Sequence, residues 1–234
     1  MTPTSAQKRV IDCVLSIFET GRIPTPASYG TCTILKDGAG ISYGKHQCTD
    51  RAGSLDLVVR RYIDKKGAHA DSLSAFLSYL AANKSCVETP GGKYSVETQT
   101  LINLLKAAGL DPVMQAAQDE IFDEVYFTPA LTHAISAGVT KALSLLVIYD
   151  TCIHSGPGGV NMIRNMFAEK SPANGGNEEM WVRAYLNARR SWLAGNRNPL
   201  VQKTVYRIDA LLSLVNAGNW ELQTPMQVRG ITIP

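Results

Sequence analysis

A mostly helical chain with one small β-hairpin region near its N-terminus follows from three features of the sequence. From about residue 50 onward, apolar residues recur with the three-and-four spacing of helix faces. Between residues 22 and 49 that spacing gives way to "RIPTPASYG" and "TCTILKDGAGISYGKHQ", rich in Thr, Ile, Tyr and Gly and carrying the hairpin dipeptide Asp37-Gly38. The composition, 45% hydrophobic and 18% charged over 234 residues, suits a chain that buries one or two sizeable cores.

The elements follow in order. Thr4 and Gln7 fit a capping box, and Val10, Val14 and Phe18 recur four apart until Gly21 ends the first helix. Leu55, Val58, Val59 and Tyr62 make one apolar face. Leu73, Phe76, Leu77 and Leu80 make another, and Leu101, Leu104 and Leu105 a third, stopped by Gly109. "ETPGGKYSVE" at 88–97 suits an exposed loop. Asp111-Pro112 and Thr128-Pro129 each have the form of an N-cap followed by proline at the first helical position. Residues 139–154 form the most apolar helix, expected at the centre and broken by "HSGPGG". Helices over 161–169 and 179–194 come next, separated by "SPANGGN". Asn198-Pro199 opens a last helix carrying Val201, Val205, Ile208, Leu212 and Val215, closed by Gly218.

Several function classes drop out. The longest apolar run, "ALSLLVIY" at 142–149, is far short of the ~20 residues of a membrane span. The polar opening lacks the h-region of a Sec signal, so the expectation is synthesis in the cytoplasm, with any action outside it following non-Sec export, injection or lysis. A net charge of +3 without a dense basic stripe excludes a nucleic-acid partner and sits better with an anionic polymer than a cationic one. The five cysteines (13, 32, 48, 86 and 152) form no C-x-x-C pair, and Cys13 and Cys152 read as core packing in helices. His46, His133 and His154 lack metal-ligand spacing, so neither metal nor cofactor is expected. Ser155 to Gly159 lacks a GK[ST] ending and reads as a helix stop.

Two carboxylates remain to be explained. Glu19 stands in the last turn of the first helix, where unpaired carbonyls make a negative side chain unfavourable. Asp37 sits at the hairpin turn, close enough in sequence to face Glu19 across a cleft. Glycoside hydrolysis uses such a pair, one carboxyl protonating the leaving oxygen and the other activating water or attacking. The helix end and the apolar neighbours Ile17 and Phe18 favour the protonated form of Glu19, as an acid requires. Asp37, between glycines in an open turn, suits the base. Asp150, on the most apolar helix, calls for a buried cationic partner. Tyr29, Tyr43, Trp181 and Trp192 are candidates for stacking on sugars, although tryptophans on helices belong more often to the core.

The stretch "FETG…YGTCTILKDGAGISYGKHQCTDRAGSLDLVVRRY" resembles the opening of the glycoside hydrolase family 46 chitosanases, members of the lysozyme superfamily. "LLVIYDTCIHSG", "YLNARRSW" and "VYRIDALLSLV" are similar to later segments of that family, so the resemblance covers roughly residues 10–62, 142–156 and 180–216. It implies an α+β, lysozyme-like fold with two lobes around a substrate cleft. Residues 1–234 would form a single catalytic domain, lobe one at about 20–60 and a larger helical lobe for the rest. It implies Glu19 as general acid, Asp37 as base and Ser42 as the hydroxyl that positions water, with inversion at carboxyl separations of roughly 6.5–9.5 Å or more. It also implies that Asp150 pairs with Arg189 or Arg190 and with Arg207.

Two departures bear on substrate. Ala39 replaces a family arginine near the base, and Ser54 replaces an acid that grips a glucosamine ammonium. Ser54 offers a hydroxyl or an acetamido group a hydrogen bond but no charge. With Lys45, Arg51, Arg60 and Arg61 nearby in sequence, the expected substrate is bacterial peptidoglycan, as for a phage lysis protein or an antibacterial effector with a delivery or immunity partner. Chitosan is the alternative polysaccharide. A non-catalytic cell-wall-binding module is the alternative of another class, opposed by the presence of both Glu19 and Asp37.

Overall fold

The computed structural model describes residues 2–35, 40–82, 88–89 and 93–234. Helix α1 (Ser5–Thr20) begins at the expected capping box, with the Thr4 and Gln7 side chains each accepting the other's backbone N–H. A 3-10 turn (Pro26–Gly30) leads to strands β1 (Cys32–Leu35), β2 (Gly40–Tyr43) and β3 (Cys48–Thr49), an antiparallel sheet in that order. Helices α2 (Ser54–Asp64), α3 (Ala70–Ser74) and α4 (Leu77–Ala81) follow. Strands β4 (Glu88–Thr89) and β5 (Lys93–Tyr94) pair where a loop is expected. Then come α5 (Val96–Ala108), α6 (Pro112–Phe122), a π-helical turn (Asp123–Phe127), α7 (Thr128–Ala137), α8 (Ala142–Ser155) and α9 (Gly158–Arg164). The chain finishes with α10 (Glu178–Ala194), α11 (Pro199–Gln202), a 3-10 turn (Lys203–Val205), α12 (Tyr206–Asn216) and the strands β6 (Met226–Val228) and β7 (Ile231–Ile233).

Three expectations need correction. Asp111 does cap α6 through Val113 N, but Thr128 caps nothing, because Phe127 before it is already helical in the π turn. Pro129 has no N–H to donate back, and a wider turn preceding it suits that missing bond. Helix α9 starts within "GPGG" at Gly158, not at residue 161. The antiparallel pair β6–β7, turning through Arg229-Gly230, both at positive φ, adds strands after the last expected helix.

The chain divides into two compact units, residues 24–123 and residues 1–23 with 124–234. The unit holding the three-stranded sheet is therefore larger than a lobe of about 20–60. Its core is α2, whose Leu55, Val58, Val59 and Tyr62 are fully buried, with α6 packed against it. Helix α5 lies on the first 3-10 turn and β1, and a side chain at Gly109 would come 2.3 Å from the Gly30 Cα, so the two backbones touch there. Amphipathic spacing identifies such helices without saying which core they face.

The other unit is built on α8, buried from Ala142 through Cys152, with α1, α7, α9, α10 and α12 packed against or around it. Lys141 gives α8 no side-chain cap. Glu178, in the first turn of α10, does so instead: it accepts from Lys141 N at 2.9 Å, from Thr140 N at 3.0 Å and from the Ser144 hydroxyl at 2.6 Å. Burial would raise the Glu178 pKa, but these hydrogen bonds outweigh it and hold the carboxyl below its usual range. No helix among the described residues is long and apolar enough to cross a membrane.

Candidate active site

Glu19 lies in the last turn of α1, and the positive φ of Gly21 (73°) lets the chain leave the helix while its N–H bonds Ile17 O at 3.0 Å. Ile17 and Phe18 are turned into the core. The group that meets the Glu19 carboxylate is instead a cation: Arg207 Nη1 donates to Oε1 at 2.6 Å. That contact explains how an acid is tolerated at a helix C-terminus. Oε2 has no hydrogen-bond partner among the described residues, and the side chain remains 34% exposed.

Arg207 reaches Glu19 from a fully buried anchor. Its Nε and Nη2 both donate to Asp150 Oδ1, the first at 3.0 Å, and Arg189 Nη1 donates to Asp150 Oδ2 at 2.6 Å. Asp150 and Arg189 are 0% exposed and Arg207 2%. Burial alone would raise the Asp150 pKa, but the two guanidiniums override it and hold the carboxyl at about 2. Arg190, the other arginine considered for this role, faces solvent and pairs with Asp209 at 2.7 Å. Trp181, Tyr185 and Arg189 are four residues apart on α10 and share its buried stripe, whereas residue 190 is turned roughly 100° away.

Aromatic packing holds the end of α1. Tyr206 donates its hydroxyl to Phe18 O at 2.7 Å, its ring meets Phe18 edge-on, and the Arg229 guanidinium lies 3.9 Å from the Tyr206 ring centre. His154, near the end of α8, is pushed down from 6.5 to about 4 by burial and by the positive charges of Arg207 and Arg189.

In the other unit, β1 and β2 pair antiparallel with Leu35 opposite Gly40. Asp37 and Ala39 fall outside the described residues. Ser42 lies on β2 between Thr33 and Thr49 and is buried, 4% exposed. Asp50, not singled out in the sequence, is a buried carboxylate packed beside Gly40, where a side chain would come 3.2 Å from Oδ2. In the sequence it reads as an ordinary turn residue, because nothing local marks its packing against Gly40.

The expected sugar-contacting residues have other partners. Tyr43 is fully buried and donates its hydroxyl to Leu105 O at 2.7 Å, so it is a core residue. Tyr29 donates to Asp119 Oδ2 at 2.6 Å. Lys45 also pairs with Asp119, at 3.0 Å, and is nearly buried. The Ser54 hydroxyl accepts from Thr49 N at 2.9 Å, holding β3 to the start of α2. Arg60 pairs with Asp56, and Arg61 with Glu120. Trp181 belongs to the core, 2% exposed. Among the described residues no three His, Cys, Asp or Glu side chains converge to hold a metal ion.

Known proteins align with nearly all of this chain. It is 30% identical over 237 residues to a chitosanase of Bacillus subtilis (strain 168), covering 95% of this chain and 82% of the relative. It is 27% identical to a chitosanase of Streptomyces sp. (strain N174), covering 94% and 78%. Among solved structures, the native chitosanase of Bacillus subtilis MY002 superposes with a TM-score of 0.84 at 26% identity, covering 100% of both chains. The chitosanase of Gynuella sunshinyii in complex with chitotetraose superposes at 0.82 with 28% identity, covering 99% and 98%. A family model, Glycosyl hydrolase family 46, matches residues 13–226. Running from within α1 to the first residue of β6, that match makes this chain a member of glycosyl hydrolase family 46 and a glycoside hydrolase.

Proposed function

We propose that this enzyme is a chitosanase, cleaving β-1,4 bonds between glucosamine units with inversion. One observation carries the reading: Glu19, held by Arg207 at the end of α1, belongs to a chain whose similar proteins are chitosanases along its whole length. The peptidoglycan expectation rests on Ser54 and on nearby basic residues. Three of those four, Lys45, Arg60 and Arg61, are paired with carboxylates of their own unit, which weakens their claim on an anionic polymer.

In this reading Glu19 protonates the glycosidic oxygen from Oε2 while Asp37 takes a proton from water and Ser42 helps position that water. The ion network then has a catalytic purpose. Arg189 and Arg207 carry two positive charges and Asp150 one negative, leaving a net +1 that faces Glu19. When Glu19 gives up its proton, the carboxylate left behind brings that sum to zero, and Arg207 is already in place to receive it.

Two measurements test the proposal. Purified enzyme should release glucosamine oligomers, identified by mass, from chitosan; release of muropeptides from sacculi with chitosan untouched would overturn it. Glu19→Gln should keep the fold and lose roughly 10²–10⁴-fold in activity, since the amide has no proton to give. Retention of more than about a tenth would remove Glu19 from the role of acid.

A further inference from the structure

A groove lies along α10, on a face turned roughly 100° from its buried Arg189. Ala184, Ala188 and Trp192 are spaced four apart and floor a groove of about 480 Å³, within the range of small-ligand sites. Its far wall is Phe167, set by its neighbours: the ring meets Trp181 and Tyr185 edge-on at 5.9 and 6.0 Å, and Arg164 covers it at 4.7 Å. Arg164 also donates to Phe167 O and Glu169 O, each at 3.0 Å, which fixes the rim segment. Glu169 is the one charged residue among those lining the groove, and Asn187 and Ser191 are its uncharged polar ones.

We infer that this groove binds a glucosamine unit of the polymer away from the bond being cut, an inference that rests on the chitosan reading. A glucosamine ring offers an apolar face, hydroxyls and an ammonium. Trp192 supplies aromatic surface for the face, Asn187 an amide for a hydroxyl, and Glu169 a carboxylate for the ammonium. No basic side chain lines the groove to oppose a cationic guest. A second contact on the same chain raises the local concentration of polymer at the enzyme without altering the chemical step.

The test separates binding from turnover. Full-length Glu19→Gln enzyme, which holds polymer without cutting it, is titrated with soluble chitosan with and without Glu169→Gln, and again with Ala188→Leu, which fills the floor. Each second change is expected to weaken polymer binding about fivefold, the scale of one solvent-screened contact. In enzyme with Glu19 intact, Glu169→Gln should leave kcat/KM for a glucosamine tetramer unchanged. The preference for free-amine over N-acetylated polymer should shrink in Glu169→Gln. Equal polymer affinity in all variants, or a matching fall in tetramer hydrolysis, overturns the site. So does a dimer in solution that Ala188→Leu abolishes, which would assign the groove to a second copy of the chain. Enzyme that binds chitosan through Glu169 yet never hydrolyses it would sink the proposed function while leaving the groove standing.

Discussion

Asp150 and Asp119 are each met by two basic side chains, one in each unit of the molecule, and their surroundings differ. Asp150 is 0% exposed and held by Arg189 and Arg207. Asp119, 42% exposed, accepts from Lys45 at 3.0 Å and from Tyr29, with His46 Nε2 at 3.1 Å and its ring stacked on Phe122. Both carboxyls are held below their ordinary pKa, although burial pushes each the other way. Water makes the difference in consequence. Around Asp119 it can replace a lost partner, whereas around Asp150 it cannot, so the buried cluster is all-or-nothing.

The largest break in that comparison is Asp150→Ala. It strands two buried guanidiniums and should cost about 3–5 kcal/mol, a drop in melting temperature on the order of 10 °C for a chain of this size. A melting temperature within a couple of degrees of wild type would show that the network carries no such weight.

Acid sharpens the comparison next. His154 has its pKa lowered from 6.5 to about 4 in the folded state, so the unfolded chain binds more protons between those values. Its contribution is complete above about pH 6.5 and is lost as pH falls toward 4. Asp150, lowered from 3.8 to about 2, contributes fully above 3.8 and loses its share as pH falls through 2. Melting temperature should therefore decline in two stages, and His154→Gln should flatten the first alone. An unchanged first stage in that variant would exclude His154 as its source.

Smaller again is Asp119→Asn. With solvent screening its pairs, a loss of about 1 kcal/mol or less is expected from urea unfolding. A loss equal to that of Asp150→Ala would contradict burial as the deciding factor. Arg190→Ala should be silent in melting temperature, since its pair with Asp209 is exposed to solvent, while Arg189→Ala, one residue away, should be severe. Similar effects from the two would overturn the assignment of Arg189 to the core.

The same contrast governs what was legible in the sequence. Asp150 stands out because a charge inside "LLVIYDTC" has nowhere to go without a partner. Asp119 sits in an amphipathic helix beside another acid, and nothing local distinguishes it from a solvated residue. Arg189 and Arg190 are adjacent and equally basic, yet the phase of Trp181, Tyr185 and Leu193 points to Arg189. Capping signals served well where a side chain closes its own helix, as at Thr4 and Asp111, and failed where a preceding turn does the work, as at Thr128. The cap that Glu178 places on α8 is separated from it by more than thirty residues, beyond the reach of any local pattern. Tyr43 and Lys45 looked available to substrate because their partners, Leu105 and Asp119, lie on helices distant in sequence.

Synthesis of this chain takes place in one order and assembly of the α1 terminus in another. Helix α1 is made well before the residues that hold its end, Tyr206 and Arg207, and before the strand β7 against which it packs. Residues 24–123 have all their unit-mates in hand long before that and are free to fold as a block during translation. Glu19 meanwhile waits without its arginine through nearly two hundred residues of elongation. The Arg207 contact of Glu19 therefore forms only once α12 has been made, long after the helix that carries Glu19.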